Sequence, residues 1–147
     1  MPVRKAKKSA LEKKKSDPNS AYWKKKADMA WGAVVHGAGG GCVCAILGDC
    51  KGPLEAHHLI TRGIISTRHD PRNGVLLCSY HHKWSKKCSP HMAPLEFAFY
   101  LQRFKPRLWQ AFEEMRGQEN NPMGSYMERR KLLERVFKEI TGRELDK

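Results

Sequence analysis

Between residues 54 and 91 the chain carries a histidine pair at His57 and His58, an asparagine in a turn context at Asn73, and Cys78. A second pair follows at His81 and His82, then His91. Adjacent side chains on a strand point to opposite faces, so one ring of a pair can face a metal while its neighbour faces water. An imidazole from a facing helix would complete such a metal site. Hydrolysis of a phosphodiester needs these parts: a general base for water, and a cation for the charge that develops on the phosphorane and the leaving oxygen. Arg62 and Arg68 flank the turn region, and a guanidinium can grip a phosphate bidentately; either could instead pair with Asp70. His36 and His69 have no partner in this pattern and read as ordinary histidines.

The five cysteines are Cys42, Cys44, Cys50, Cys78 and Cys88. Interleaved with histidine, they read as metal ligands before disulfides. No apolar run follows the Lys-rich N-terminus, and no apolar segment approaches the ~20 residues a membrane-spanning helix needs. The expected compartment is therefore a reducing, cytoplasmic one, with no membrane partner.

The 147 residues suffice for one domain with tails but not for two comfortable cores. A net charge of +13, with 40% hydrophobic residues, describes a foldable chain with a large cationic excess. That excess concerns partners rather than fold, and nucleic acid is the usual one. Ten Lys and Arg fall in residues 1–26 against Glu12 and Asp17, so this stretch is expected to be a mobile tail or a fraying helix. Its lysines could neutralise phosphates without sequence preference.

Around the histidines, the elements follow from local signals. Residues 27–35 suit a short helix or strand, and Gly37 to Gly41 a flexible loop without the lysine or spacing of a phosphate-binding loop. Residues 54–65 should form a strand pair or extended loop. Asp70-Pro71 and Asn73-Gly74 signal turns. Val75, Leu76 and Leu77 should form a short buried strand, and Ser79 should cap a short helix carrying His81, His82 and Trp84. Apolar spacing after Pro94 predicts a helix interrupted at Pro106 and resumed to Gly117, then a linker over residues 118–124. Ser125 with Glu128 forms a capping box for a last helix. Its stripe is Leu132, Leu133, Val136, Phe137 and Ile140, and Gly142 is its C-cap. Arg129 and Arg130 fall outside the stripe. Docking of this helix on the domain and pairing with a second chain both remain open.

The run from Glu55 to His82, with HH, DPRNG and LC-x-x-HH at these separations, resembles the HNH endonuclease motif. The wider pattern from Arg62 through Thr67–Asn73 to His91 and Phe97 is similar to small phage-encoded HNH proteins, over about half the chain. The resemblance implies an α+β fold: a ββα-metal core with a structural zinc knuckle, flanked by α-helices and a disordered basic N-terminal tail. The corresponding division is a tail over 1–26, an HNH nuclease domain over 27–116, and a linker with an amphipathic helix over 117–147.

By the same resemblance His58 is the general base, and His57 and His82 hold a catalytic divalent ion, with His91 a candidate third ligand. Asn73 would hydrogen-bond across the hairpin loop. The ion would be Mg2+ or Mn2+, with Zn2+ or Ni2+ as alternatives because imidazole admits softer metals. Many relatives hold a structural zinc between two C-x-x-C knuckles. Here the second is Cys78 with His81, a sound tetrahedral pair. The first is irregular: Cys44 with Cys50 is favoured because Cys42-x-Cys44 is tight, Cys42 is the alternative, and Cys88 is either a ligand or a small buried residue.

The activity implied is hydrolysis of DNA by nicking or double-strand cleavage, with Arg62 or Arg68 on the scissile phosphate and mainly backbone contacts. The alternatives are a zinc-stabilised DNA-binding or assembly module that does not cut, and a nuclease subunit of a larger phage machine.

Overall fold

The computed structural model describes residues 7–119 and 124–147. The start of the basic tail and the middle of the expected linker lie outside these residues. Two helices open the described chain, α1 (Ala10–Ser16) and α2 (Ala21–Gly37). A loop with one 3-10 turn leads to strand β1 (Leu54–His57), a long loop leads to β2 (Val75–Cys78), and α3 (Ser79–Lys83) follows directly. Helices α4 (Pro94–Phe104), α5 (Pro106–Arg116) and α6 (Tyr126–Thr141) complete the order.

The strands pair antiparallel, Leu54 opposite Cys78 and His57 opposite Val75. With α3 they form a ββα unit, so the fold is α+β. β2 is buried along its length. Alternation sends Val75 and Leu77 into one cluster with Phe97, Tyr100 and Leu101, and Leu76 into another with Ala30, Trp31, Val34, Leu133 and Phe137. The small sheet is thus packed between α4 on one side and the α2–α6 pair on the other.

Several local expectations shift in detail. The boundary expected at residue 26 falls inside α2, and the basic stretch before it contains α1, whose own capping box joins Ser9 and Glu12 and which buries no side chain. α3 is capped by Cys78, whose sulfur accepts from the His81 amide, and Ser79 is its first residue. Pro94 and Pro106 each open a helix, where a missing amide hydrogen costs nothing. The Ser125–Glu128 capping box and a left-handed Gly142 bound α6.

Leu133, Val136 and Phe137 of the α6 stripe dock on α2 within the same chain, while Leu132 and Ile140 are exposed. Arg129 and Arg130 do not decorate its solvent face; both are buried. Arg130 bonds Glu134 and the carbonyls of Lys26 and Asp146, while Arg129 donates to the carbonyls of Ile65 and Gly124. These guanidiniums satisfy main-chain acceptors of α2 and of the interstrand loop, which locks α6 to both.

Candidate metal and nuclease site

Four ligand-type side chains meet beside the start of α3. Cys42, Cys50, Cys78 and His81 bring their ligand atoms within 4.8 Å of one another. The His81 Nδ1 lies 3.5 Å from the Cys42 sulfur, 3.6 Å from Cys50 and 3.2 Å from Cys78. Around a tetrahedral zinc with ordinary bond lengths a sulfur and a nitrogen would stand about 3.6 Å apart, so the set fits that ion. Partial burial and the adjacent Cys42 and Cys78 sulfurs push the Cys50 thiol up to about 12. Deprotonating the Cys50 sulfur for coordination therefore calls for a bound cation.

The favoured Cys44 is not in this group. Cys44 points the other way and is joined to Cys88 by a disulfide, both fully buried. The bond to Cys88 commits the Cys44 sulfur, while the Cys42 sulfur lies beside His81. The alternative, Cys42, takes the fourth position, and the expectation of ligands before disulfides does not hold for Cys44 and Cys88.

A second group lies across the ββα unit. His57 at the end of β1, His82 on α3 and His91 in the following loop bring ligand nitrogens within 4.8 Å. His57 Nδ1 is 3.0 Å from His82 Nε2, which is 3.2 Å from His91 Nε2. His82 donates through Nδ1 to Glu55. Its Nε2 therefore has one lone pair, and two imidazole nitrogens face it. A cation satisfies all three at once, and about 3.3 Å is the nitrogen separation a tetrahedral zinc site would set. Burial, and the nearby His82, His91 and His58 rings, lower His57 to about 4, so it is a neutral ring at neutral pH.

Glu55 belongs to this site although the motif did not single it out. It shares a strand face with His57 two residues on, which was the available signal. Ser79 and Lys83 also bond its carboxylate, and the His82 hydrogen bond, opposed by burial, holds it down to about 2. Ser89 steadies the other side: its hydroxyl donates to the His82 carbonyl and accepts from the His91 amide.

His58 is not one of the three clustered imidazoles. Its Nε2–H donates to the Arg68 carbonyl at 2.9 Å, which leaves the lone pair on Nδ1. Burial lowers its pKa, so the ring is in the form that can accept a proton. Trp31 lies flat against it, with centroids 3.5 Å apart and planes within 9°. Asn73, with no exposed surface, accepts from the Ile60 amide at 2.7 Å and donates to the Ile60 and Thr67 carbonyls at 3.0 Å, pinning the interstrand loop across its width.

Residues 44–88 match the HNH endonuclease family model.

The matched segment contains both strands, α3, and every ligand of the two clusters except Cys42 and His91. The match supports a nuclease-type function on nucleic acid, and the family it points to generally uses a divalent metal. No curated protein and no solved structure matches the chain. No helix among the described residues is long and apolar enough to cross a membrane.

The two arginines flanking the loop differ. Arg68 has its guanidinium on Asp28, through Nε and NH2 at 2.7 and 2.8 Å, with NH1 on the Arg62 carbonyl. Its partner is Asp28 rather than Asp70, which pairs with Arg72. The Arg62 side chain is exposed. His69 is buried between Asp28 and Arg129, and is thus no ordinary surface histidine.

Proposed function

We propose that this chain is a metal-dependent DNA endonuclease. The convergence of His57, His82 and His91 nitrogens on one point, beside a neutral His58 with its Nδ1 unprotonated, carries the reading. A divalent ion bound by the three imidazoles would offset negative charge on the phosphorane and the leaving oxygen. An all-imidazole set favours Zn2+ or Ni2+ over Mg2+, with Mn2+ between them. His58 takes the proton of the attacking water at Nδ1, while its Nε2–H stays on the Arg68 carbonyl. Glu55 keeps the lone pair of His82 on Nε2, and Asn73 ties Ile60, two residues past His58, to Thr67, next to Arg68. Arg62 is the phosphate contact, because its guanidinium is exposed while that of Arg68 is committed to Asp28. The Cys42, Cys50, Cys78 and His81 set holds a structural zinc. It replaces core that a ββα unit of this size cannot supply.

Nicking of supercoiled plasmid by the full chain tests this, with Mn2+, Ni2+, Zn2+ or Mg2+ supplied in turn and His58→Ala in parallel. Cutting by the parent and none by the variant is expected. Equal nicking by both would remove His58 as the base. A folded, metal-loaded parent that binds DNA without nicking would favour a zinc-stabilised binding module instead.

A further inference from the structure

Helix α2 lies outside the segment that matches the HNH family, yet two of its side chains converge on His58. Asp28 holds Arg68 bidentately and also accepts from His69 Nε2 at 2.8 Å. Arg68 in turn presents its main-chain oxygen to His58. One turn further along α2, Trp31 covers the face of the same imidazole.

We infer that α2 positions the base: Asp28 sets the tautomer of His58 through Arg68, and Trp31 sets its plane. A carbonyl only accepts, so an oxygen fixed against Nε2 admits only the tautomer with hydrogen there. The interstrand loop that carries this oxygen has little regular structure, and the bidentate pair with Asp28 is what ties residue 68 to a helix. A histidine ring can also rotate about its last torsion, which would exchange Nδ1 for a carbon at the position that is to take the proton. The parallel indole blocks tilting of the ring.

Trp31 is itself fixed. Its Nε1–H donates to the Asp70 carbonyl at 3.1 Å, and it packs over Gly74, where an added Cβ would stand 2.8 Å from the indole and would also meet Val35. Behind α2, Leu133 and Phe137 of α6 fill the same cluster. Asp28 and Trp31 belong to neither ligand cluster, so their effect on the reaction passes through His58. They are positioning residues.

The rate consequence rests on the nuclease reading; the tautomer consequence does not. The test therefore has two readouts on the full chain. Long-range proton–nitrogen NMR of the histidines reads the tautomer of His58 in the parent, Asp28→Asn, Asp28→Glu, Trp31→Leu and the milder Trp31→Phe. Plasmid nicking with Mn2+ reads kcat and KM for the same proteins, each also combined with His58→Ala. The parent should show a single His58 tautomer protonated at Nε2, and Asp28→Asn a mixture that Asp28→Glu partly restores. In kcat, Asp28→Asn and Trp31→Leu should lose about ten- to a hundred-fold with KM unchanged, the scale expected of a misplaced catalytic group. Neither should reduce residual cutting further in the His58→Ala background. Losses that persist undiminished in that background would mean a general structural role and overturn the inference, as would an unchanged tautomer in Asp28→Asn. If the parent does not nick, the nuclease reading fails, and the NMR comparison alone decides whether α2 orients the ring.

Discussion

Glu55 holds the Nδ1–H of His82 and thereby turns its Nε2 toward His57 and His91. Such partners of metal-bound histidines typically contribute ten- to a hundred-fold in affinity, by about the same rule across sites. Glu55→Gln should weaken the catalytic ion by roughly that factor, shifting the Mn2+ dependence of nicking upward with little change at saturating ion. Unaltered Mn2+ affinity by calorimetry would show that His82 orients without its carboxylate.

The two metal groups share α3 but no side chain, so they should be separable by mutation. Cys42→Ser and Cys50→Ser should each lose the structural zinc and lower the thermal midpoint. Cys44→Ser should keep the zinc and lose only the crosslink to Cys88. Zinc content after gel filtration and non-reducing peptide mapping read the two outcomes. Loss of zinc in Cys44→Ser would restore the assignment that spacing alone favours.

His58→Ala should reduce nicking by about a hundred- to ten-thousand-fold, the usual range for a lost general base. Both metals should remain bound, since His58 ligates neither. Elemental analysis showing a missing ion would place His58 in the ligand set instead.

Asp28 makes stability depend on acid. Burial raises its carboxyl, but hydrogen bonds from His69 and Arg68 outweigh this and hold it well below its ordinary value of 3.8. A depressed folded value contributes stability that is fully present above the ordinary carboxylate range and is lost as pH falls below it. Asp28→Asn should therefore be less stable than the parent at pH 6, and the gap should narrow between about pH 4 and pH 2. A gap that is constant across urea titrations over that range would exclude the carboxylate as its source.

Leu133 has no exposed surface in the α2–α6 contact. Leu133→Ala should cost about 2–5 kcal/mol in urea unfolding. A cost near zero would mean that α6 does not dock on α2 in solution.

What could be read from sequence alone was local. The Ser125–Glu128 box, the prolines opening α4 and α5, the buried run Val75–Leu77 and the spacing of His57, Asn73 and His82 are legible because their partners lie within a few residues or in a known motif. The α+β class and the HNH assignment follow from these. Which cysteine faces His81 was not legible: Cys42 and Cys44 have the same chemistry, and their partners, His81 and Cys88, lie about forty residues away. Arg68 likewise offered a plausible phosphate contact until its partner, 40 residues away on α2, was in view. The same holds for Trp31 over His58, and for buried Arg129 and Arg130, which reach acceptors as far as 60 to 104 positions distant. Periodicity records which face a helix buries, but not what lies against it. The residues that can do the chemistry were thus set by the sequence. Tertiary packing decided which nitrogen of His58 is open and which sulfurs meet His81, because both depend on groups that distant elements bring within hydrogen-bond or coordination range.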